Sequence, residues 1–209
     1  LVQAETGYLL KYGVNIRELQ FLNCMKTIFN LDKTEFIDKI INSIKKNDKI
    51  IYYLNSGDLI TQFITKENFF TFLENTIYLD YNLISDIFTI PNIFSEFFYN
   101  IFLFEKITYK DQVTDKIKQK FILNCPKEDV IHNFNNQNFK NIFLLKEDKF
   151  FYPIFEITKE KSTPKFKIYK TFDYNSEIVS EFRKFILDNC KNNIVSKNNY
   201  SCRKIIKIL

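Results

Sequence analysis

Apolar residues in this chain change period twice, and that limits what it can fold into. After Asn15 they recur at three-and-four spacing through Ile16, Leu19, Phe21, Leu22, Met25, Ile28 and Phe29, the stripe of an amphipathic helix. Asp32 followed by Glu35 has the residues of a capping box, and Phe36, Ile37, Ile40, Ile41 and Ile44 continue as a second helix. The run Lys49 to Leu54 is β-rich and leads into a turn at Asn55-Ser56-Gly57. Asp58 opens another helical pattern through Leu59, Phe63 and Ile64, then Phe69, Phe70, Phe72 and Leu73. A further helix from about Tyr81 to Phe88 stops ahead of Pro91, because proline disfavours helix in the residue before it.

The pattern then becomes one of strands. Phe97 to Phe104 is a continuous apolar run, expected as a buried strand, and Lys120 to Asn124 is a shorter one. Asn141 to Leu145 and Phe150 to Ile157 flank Lys146-Glu147-Asp148-Lys149, the layout of a hairpin. Pro153 cannot donate to a ladder, which argues for an edge position or a bulge. Lys165 to Tyr169 alternates Lys with apolar residues and suits a strand with one wet face. From Asn175 the helical period returns through Ile178, Val179, Phe182, Phe185 and Ile186. The fold class is therefore α+β: N-terminal helices, a mainly antiparallel sheet with a hairpin, and a closing C-terminal helix. The organisation is either a helical part, 1–95, followed by a sheet part, 96–209, or one domain over 1–209.

The chain is long enough to bury a sizeable core. Its 24 Phe and 12 Tyr accompany no Trp, three Gly and one His. Lys, Asn, Ile and Phe dominate, and all have A/T-rich codons, so an A/T-rich genome accounts for Phe standing in for Leu as core filler. Arg17, Arg183 and Arg203 are the arginines. A net charge of +5 from 30 basic and 25 acidic residues is a mild, diffuse excess. Its densest stretches are Lys116, Lys118 and Lys120, then Lys159, Lys161, Lys165, Lys167 and Lys170, then Lys197, Arg203, Lys204 and Lys207. Cys24, Cys125, Cys190 and Cys202 are widely spaced with no C-x-x-C pair, and are expected as reduced thiols rather than as zinc ligands or a disulfide scaffold. No stretch of about 18 apolar residues predicts a membrane span. The chain begins at Leu1 and opens mid-pattern, without a signal-peptide layout, as a piece of a longer protein does.

Candidate chemistry is sparse. His132 lies at the start of an Asn-rich loop that runs on through Asn133 to Asn141, without a second imidazole or a nucleophile signature. Asp86, Glu105 and Lys106 could compose a metal-dependent nuclease set, in which carboxylates hold a divalent cation and a strand-borne lysine stabilises developing charge. Such sites carry Glu-x-Lys on one strand face, however, and adjacent Glu105 and Lys106 point to opposite faces. Glu147 and Lys149 have the right gap but fall in the expected turn. Gly7, Gly13 and Gly57 make no phosphate loop, and Ser56 beside Gly57 lacks a nucleophile elbow. Phe94, Phe97, Phe98, Tyr99, Phe102 and Phe104 could stack bases, but no basic residue interleaves before Lys106, so they read as core. No cofactor, metal or small-molecule substrate is expected.

Three stretches carry a family resemblance. Gly7-Tyr8-Leu9-Leu10-Lys11-Tyr12-Gly13-Val14, followed by Phe21-Leu22-Asn23-Cys24, resembles the G-[FY]-L-R-Y-G-V string and S-F-L helix of large proteins shared among nucleocytoplasmic large DNA viruses. Asn55-Ser56-Gly57-Asp58-Leu59-Ile60 resembles the N-G-[DN]-L-V turn of that family. Asn141-Ile142-Phe143-Leu144-Leu145-Lys146 with Phe151-Tyr152-Pro153-Ile154-Phe155 resembles its I-L-L-I-K…Y-Y-E-P-I-Y hairpin. Leu10-Lys11 stands where the family has Leu-Arg, and Tyr152 where it has the Glu before the proline. The resemblance implies a giant-virus protein at work in the host cytoplasm, at the viral factory, or in the virion. It points to transcription machinery or virion assembly, with other viral proteins as partners. The composition leaves a second expectation open, a nucleic-acid-binding module using Lys159, Lys161, Lys165, Lys167, Lys170, Arg203 and Lys204. A third is a degenerate metal-dependent nuclease.

Overall fold

The computed structural model describes residues 2–3, 8–14, 20–76, 78–159 and 166–190. Two short strands, β1 (Val2–Gln3) and β2 (Tyr8–Lys11), precede helices α1 (Gln20–Phe29) and α2 (Lys33–Lys46). The capping box at α2 is complete: the Asp32 carboxylate accepts from the Glu35 amide, and the Glu35 carboxylate accepts from the Asp32 amide, each at 2.9 Å. Two donors left over at the helix start are thereby satisfied. The stripe Phe36, Ile37, Ile40, Ile41 and Ile44 is buried, as the spacing predicts.

Lys49 to Leu54 departs from expectation. It holds a helix, α3 (Lys49–Tyr53), not a strand. Ile50, Ile51 and Leu54 are all buried against the other helices; in so short a run, tertiary burial overrides β-propensity. After α3 the chain turns at Asn55, Ser56 and Gly57, with φ of 51°, 55° and 90°. Then come α4 (Asp58–Phe63) and α5 (Lys66–Asn75), the latter capped by Thr65, whose hydroxyl accepts from the Asn68 amide at 3.2 Å. A short helix, α6 (Tyr81–Ile84), passes into a 3-10 turn over Ser85–Thr89.

The strands that follow are β3 (Phe98–Lys110), β4 (Ile117–Leu123), β5 (Phe139–Glu147), β6 (Phe150–Lys159) and β7 (Phe166–Tyr169), and α7 (Glu177–Asn189) closes the order. Among the described residues the sheet runs β1-β2-β6-β5-β3-β4, with β7 also on β6. The pairings are antiparallel except for β3 with β5, which is parallel from Phe98↔Phe139 to Lys106↔Glu147. The β5–β6 hairpin forms as expected, with Asp148 in its turn at φ 56°. Pro153, expected at an edge or bulge, instead sits in a strand flanked by β5 and β2. Its carbonyl accepts from Tyr12 at 3.0 Å just past the end of β2. The missing N–H thus falls where the β2 ladder runs out, and little is lost.

Both faces of the central strands are covered. Tyr99, Ile101, Leu103, Ile142, Leu144, Phe151 and Phe155 join the helices α1 to α5 in one apolar cluster. Phe102, Phe104, Phe143 and Leu145 alternate with them and meet Val179, Phe182 and Ile186 of α7. Burial on both faces explains why β3 and β5 read as unbroken apolar runs. Most of the aromatic run is core: Phe94 stacks on Phe36 at 4.6 Å, and Phe102 meets Phe134 edge-on at 5.0 Å.

The Asn-rich stretch is not simply a loop. Asn133 lies within a 3-10 helix, Glu128–Asn135, and Asn141 is a buried residue of β5. Asn100 of β3 donates to the Asn133 carbonyl at 3.3 Å and to the Asn141 side chain at 3.4 Å. Asn141 exchanges backbone bonds with Phe172 at 2.9 and 2.8 Å.

Two long-range ties complete the frame. Cys125 and Cys190, expected as thiols, form a disulfide with Cα atoms 5.5 Å apart, fastening the end of α7 to the segment after β4. Cys24 is a thiol buried among the helices, and burial pushes its pKa up, which leaves it unreactive. Cys202 lies outside the described residues. The second tie is Asp86, which is 2% exposed. Its carboxylate accepts from the Lys127 ammonium at 2.7 Å and from the Asn55 amide at 2.8 Å. Lys127 also donates to the Asn55 side chain at 3.1 Å and to the Asn82 carbonyl at 3.0 Å.

Reduction of the 65-residue disulfide loop is expected to lower unfolding stability by about 4 kcal/mol on loop-entropy grounds, read from denaturant titrations with and without reductant. Asp86→Ala leaves the Lys127 ammonium without its carboxylate and is expected to cost about 3 kcal/mol, with faster hydrogen exchange at the Asn55 amide. Ile64 ends α4 at φ 66° while 78% exposed, a position where a β-branched residue is strained and packs little. Ile64→Gly is expected to raise stability by about 1 kcal/mol, measured as a shift in thermal midpoint.

Candidate interaction surface

The helical layer does not reach the whole sheet. Phe21 of α1 meets Phe151 at 5.7 Å, and the buried cluster on this face extends along β6 as far as Phe155. Side chains two apart on a strand share a face, so Ile157 continues the line beyond the helices. It pairs with Tyr8 of β2 on one side and with Ile168 of β7 on the other, while Lys159 pairs with Phe166. Tyr8 is 40% exposed, Ile168 49% and Phe166 63%. The register therefore gathers Tyr8, Ile157, Ile168 and Phe166 across three strands, with the exposed Lys159 beside Phe166, at an end of the sheet that no described helix covers.

The other face is more polar on β6 and β7, although Leu9 of β2, opposite Glu156, is buried there. Glu156, Thr158, Lys167 and Tyr169 lie on it in register, with the Lys167 ammonium 4.8 Å from the centre of the Tyr169 ring. All four residues of β7 are exposed, so this strand has two wet faces where its alternation predicts one. Among the described residues β7 pairs with β6 and with no other strand.

The lysines expected to meet nucleic acid divide differently. Lys159 and Lys167 are exposed but point to opposite faces, since Lys159 shares a face with Phe166 and Lys167 with Thr158. Lys170 is used inside the protein: its ammonium donates to the Thr27 carbonyl at 2.7 Å and to the Asn30 side chain, satisfying the end of α1. Burial lowers its pKa. Lys161, Lys165, Arg203 and Lys204 lie outside the described residues.

The residues considered for a nuclease are also held apart. Asp86 belongs to the Lys127 tie. Glu105 is bonded by Lys146 at 2.7 Å and Asn124 at 3.0 Å. Burial raises its pKa, but these two hydrogen bonds and the Lys146 charge outweigh burial, so the carboxyl sits below its ordinary value. Lys106 turns to the other face, 3.6 Å from Glu147, which also holds Lys11. His132 is exposed on the 3-10 helix. Among the described residues no group of three or more His, Cys, Asp or Glu is placed to share a metal ion, and no helix is long and apolar enough to cross a membrane.

One cavity lies beside the first half of β3, between Asp86, Tyr99, Asn100, Cys125 and Lys127. Its volume of about 60 Å³ has room for about two water molecules and none for a metabolite. Asn100 Oδ1 is the buried side-chain atom without a partner among the described residues, and Asn100 is one of the residues around this cavity. A wider groove near Tyr52, Tyr53, Ser56, Glu128 and Asp129 is open to solvent.

No family model matches the chain. Over 224 aligned positions it is 30% identical to an uncharacterised protein of Acanthamoeba polyphaga mimivirus. The alignment covers all of this chain and 14% of that much longer protein. The strings Tyr8 to Val14, Asn55 to Ile60 and Asn141 to Phe155 therefore sit in a chain that is similar, along its whole length, to a segment of a large giant-virus protein.

Proposed function

We propose that this chain is a non-catalytic protein-interaction domain of a large giant-virus protein, acting in viral transcription machinery or virion assembly. The observation that carries the reading is the apolar surface of Tyr8, Ile157, Ile168 and Phe166 at the uncovered end of the sheet. Contiguous exposed apolar surface marks association sites more often than idle surface. Burying such residues contributes roughly 25 cal/mol per Å² of apolar area removed from water, which gives a partner a reason to dock there. The rest of the molecule is built to hold that surface in place rather than to react. Asp86 and Glu105 are engaged in ties between elements, and the cavity beside Asp86 is too small for a substrate. The partners are other viral proteins, met at the viral factory in the host cytoplasm or in the virion.

The test is affinity purification of the tagged full-length protein from infected cells, with partners identified by mass spectrometry. Recovery of RNA polymerase subunits supports a transcription role, and recovery of capsid and core proteins supports a virion role. Ile168→Asp is expected to lower recovery of the partner about tenfold or more, because a charge is placed in an apolar contact. The thermal midpoint of the isolated chain should be unchanged, since Ile168 is exposed. Equal recovery with the variant counts against this surface.

A further inference from the structure

We infer that the cavity beside the first half of β3 is a binding site for ordered water, held by the Asn100 side chain next to the Asp86–Lys127 tie; this goes beyond the interaction reading and does not rest on it. Asn100 is 2% exposed, and its Oδ1 is buried without a hydrogen-bond partner among the described residues. Buried side-chain oxygens almost always have a partner, from protein or from water. The other end of the amide fixes where that partner sits. Asn141 uses its own Nδ2 on the Phe172 carbonyl at 3.2 Å, so its Oδ1 is left to accept from Asn100. Asn100 Nδ2 meets it at 3.4 Å and also donates to the Asn133 carbonyl at 3.3 Å. Oδ1, at the opposite end of the amide, therefore points away from Asn141 and β5, toward the side of β3 where Cys125, Pro126 and Val130 line the cavity.

The backbone turns further polar groups to the same side. The Asn124 amide reaches the Leu103 carbonyl at 2.8 Å from outside β3. Backbone groups two residues apart on a strand point the same way, so the Ile101 amide and carbonyl also face outward, beside the cavity. The β4 ladder does not extend to them, since it starts at Phe104. Water both donates and accepts, so it suits a lining of carbonyl, amide and side-chain oxygen. Other occupants fit less well. The volume of about 60 Å³ excludes a metabolite. Lys127 lines the cavity with its ammonium engaged by Asp86, Asn55 and Asn82, so a second cation there meets like charge. The buried Asp86 carboxylate repels an anion. An apolar occupant would leave Oδ1 without a partner. Bound water thus links Asn100 of the sheet to the segment after β4, along the stretch of β3 that β4 does not accompany.

The experiment is a crystal structure of the 209-residue chain, grown once in sodium chloride and once in rubidium chloride, at a resolution that shows ordered water. Density within hydrogen-bond distance of Asn100 Oδ1 is expected in both crystals, with no anomalous signal from rubidium. Asn100→Leu, which removes the acceptor, is expected to lose that density. A solution measurement on the unaltered chain stands beside the variant, in case the variant does not fold. The Ile101 amide should show a cross-peak to water with the sign of a bound molecule in nuclear Overhauser spectra. A rubidium peak in the cavity makes it a cation site and overturns the inference. No density at Asn100 Oδ1, or no water cross-peak at Ile101, makes the cavity dry and overturns it as well. Density that persists unchanged in Asn100→Leu removes Asn100 as the group that holds the water, with the same result.

Discussion

The rest of the molecule hangs on the parallel pairing of β3 with β5, nine residues of each strand in register and covered on both faces. Parallel neighbours cannot be joined by a tight turn, so the chain between them must travel. It spends that travel on β4 and on the 3-10 helix Glu128–Asn135, which then lies with α7 over Phe102, Phe104 and Phe143. The opposite face of the same residues receives the helices. Each layer is therefore positioned by one pair of strands whose side chains alternate between two cores.

Burying that pair leaves an edge to manage. β4 accompanies β3 only from Phe104 outward, so Phe98 to Leu103 have no strand on that side. The structure covers the stretch with the segment after β4, where the Asn124 amide donates to the Leu103 carbonyl at 2.8 Å. The disulfide and the Asp86–Lys127 pair both fasten this same segment, one to α7 and one to the helical layer. An ion pair with so buried a carboxylate holds only because Asn55 and Asn82 meet the remaining donors and acceptors. It also keeps Asn55 in its left-handed turn, the part of the sequence that resembles a family string.

Coverage is uneven, and the unevenness is where function is proposed to reside. The described helices protect the sheet from β3 to the middle of β6 but not the stretch where β2, β6 and β7 meet. There Phe166 and Ile168 on one face and Lys167 on the other are all exposed within the four residues of β7. A core residue two positions earlier on β6, Phe155, shows what the same face looks like when it is covered.

Much of this was legible in the sequence. The capping residues Asp32 and Glu35, the helical stripes, the β5–β6 hairpin and the closing helix follow from spacing, because local periodicity records which side of an element is buried. The sequence strings also pointed to giant viruses, in keeping with the mimivirus relative. Other features depended on contacts between distant residues. Ile50 and Ile51 are helical because the helical layer buries them. Pro153 is tolerated inside the sheet because β2 ends beside it. Cys125 and Cys190, 65 residues apart, meet only once α7 has docked. Lys170 has no local sign that it serves α1, 143 residues away in sequence from its partner Thr27. Lys167 and Ile168 read as one ordinary alternation until the fold sets their strand against β6 at an end of the sheet that no described helix covers. The sequence by itself determined which elements form and which faces are apolar, since those are set within a few residues. The tertiary structure alone decided which apolar face stays uncovered, because that depends on how far another layer reaches.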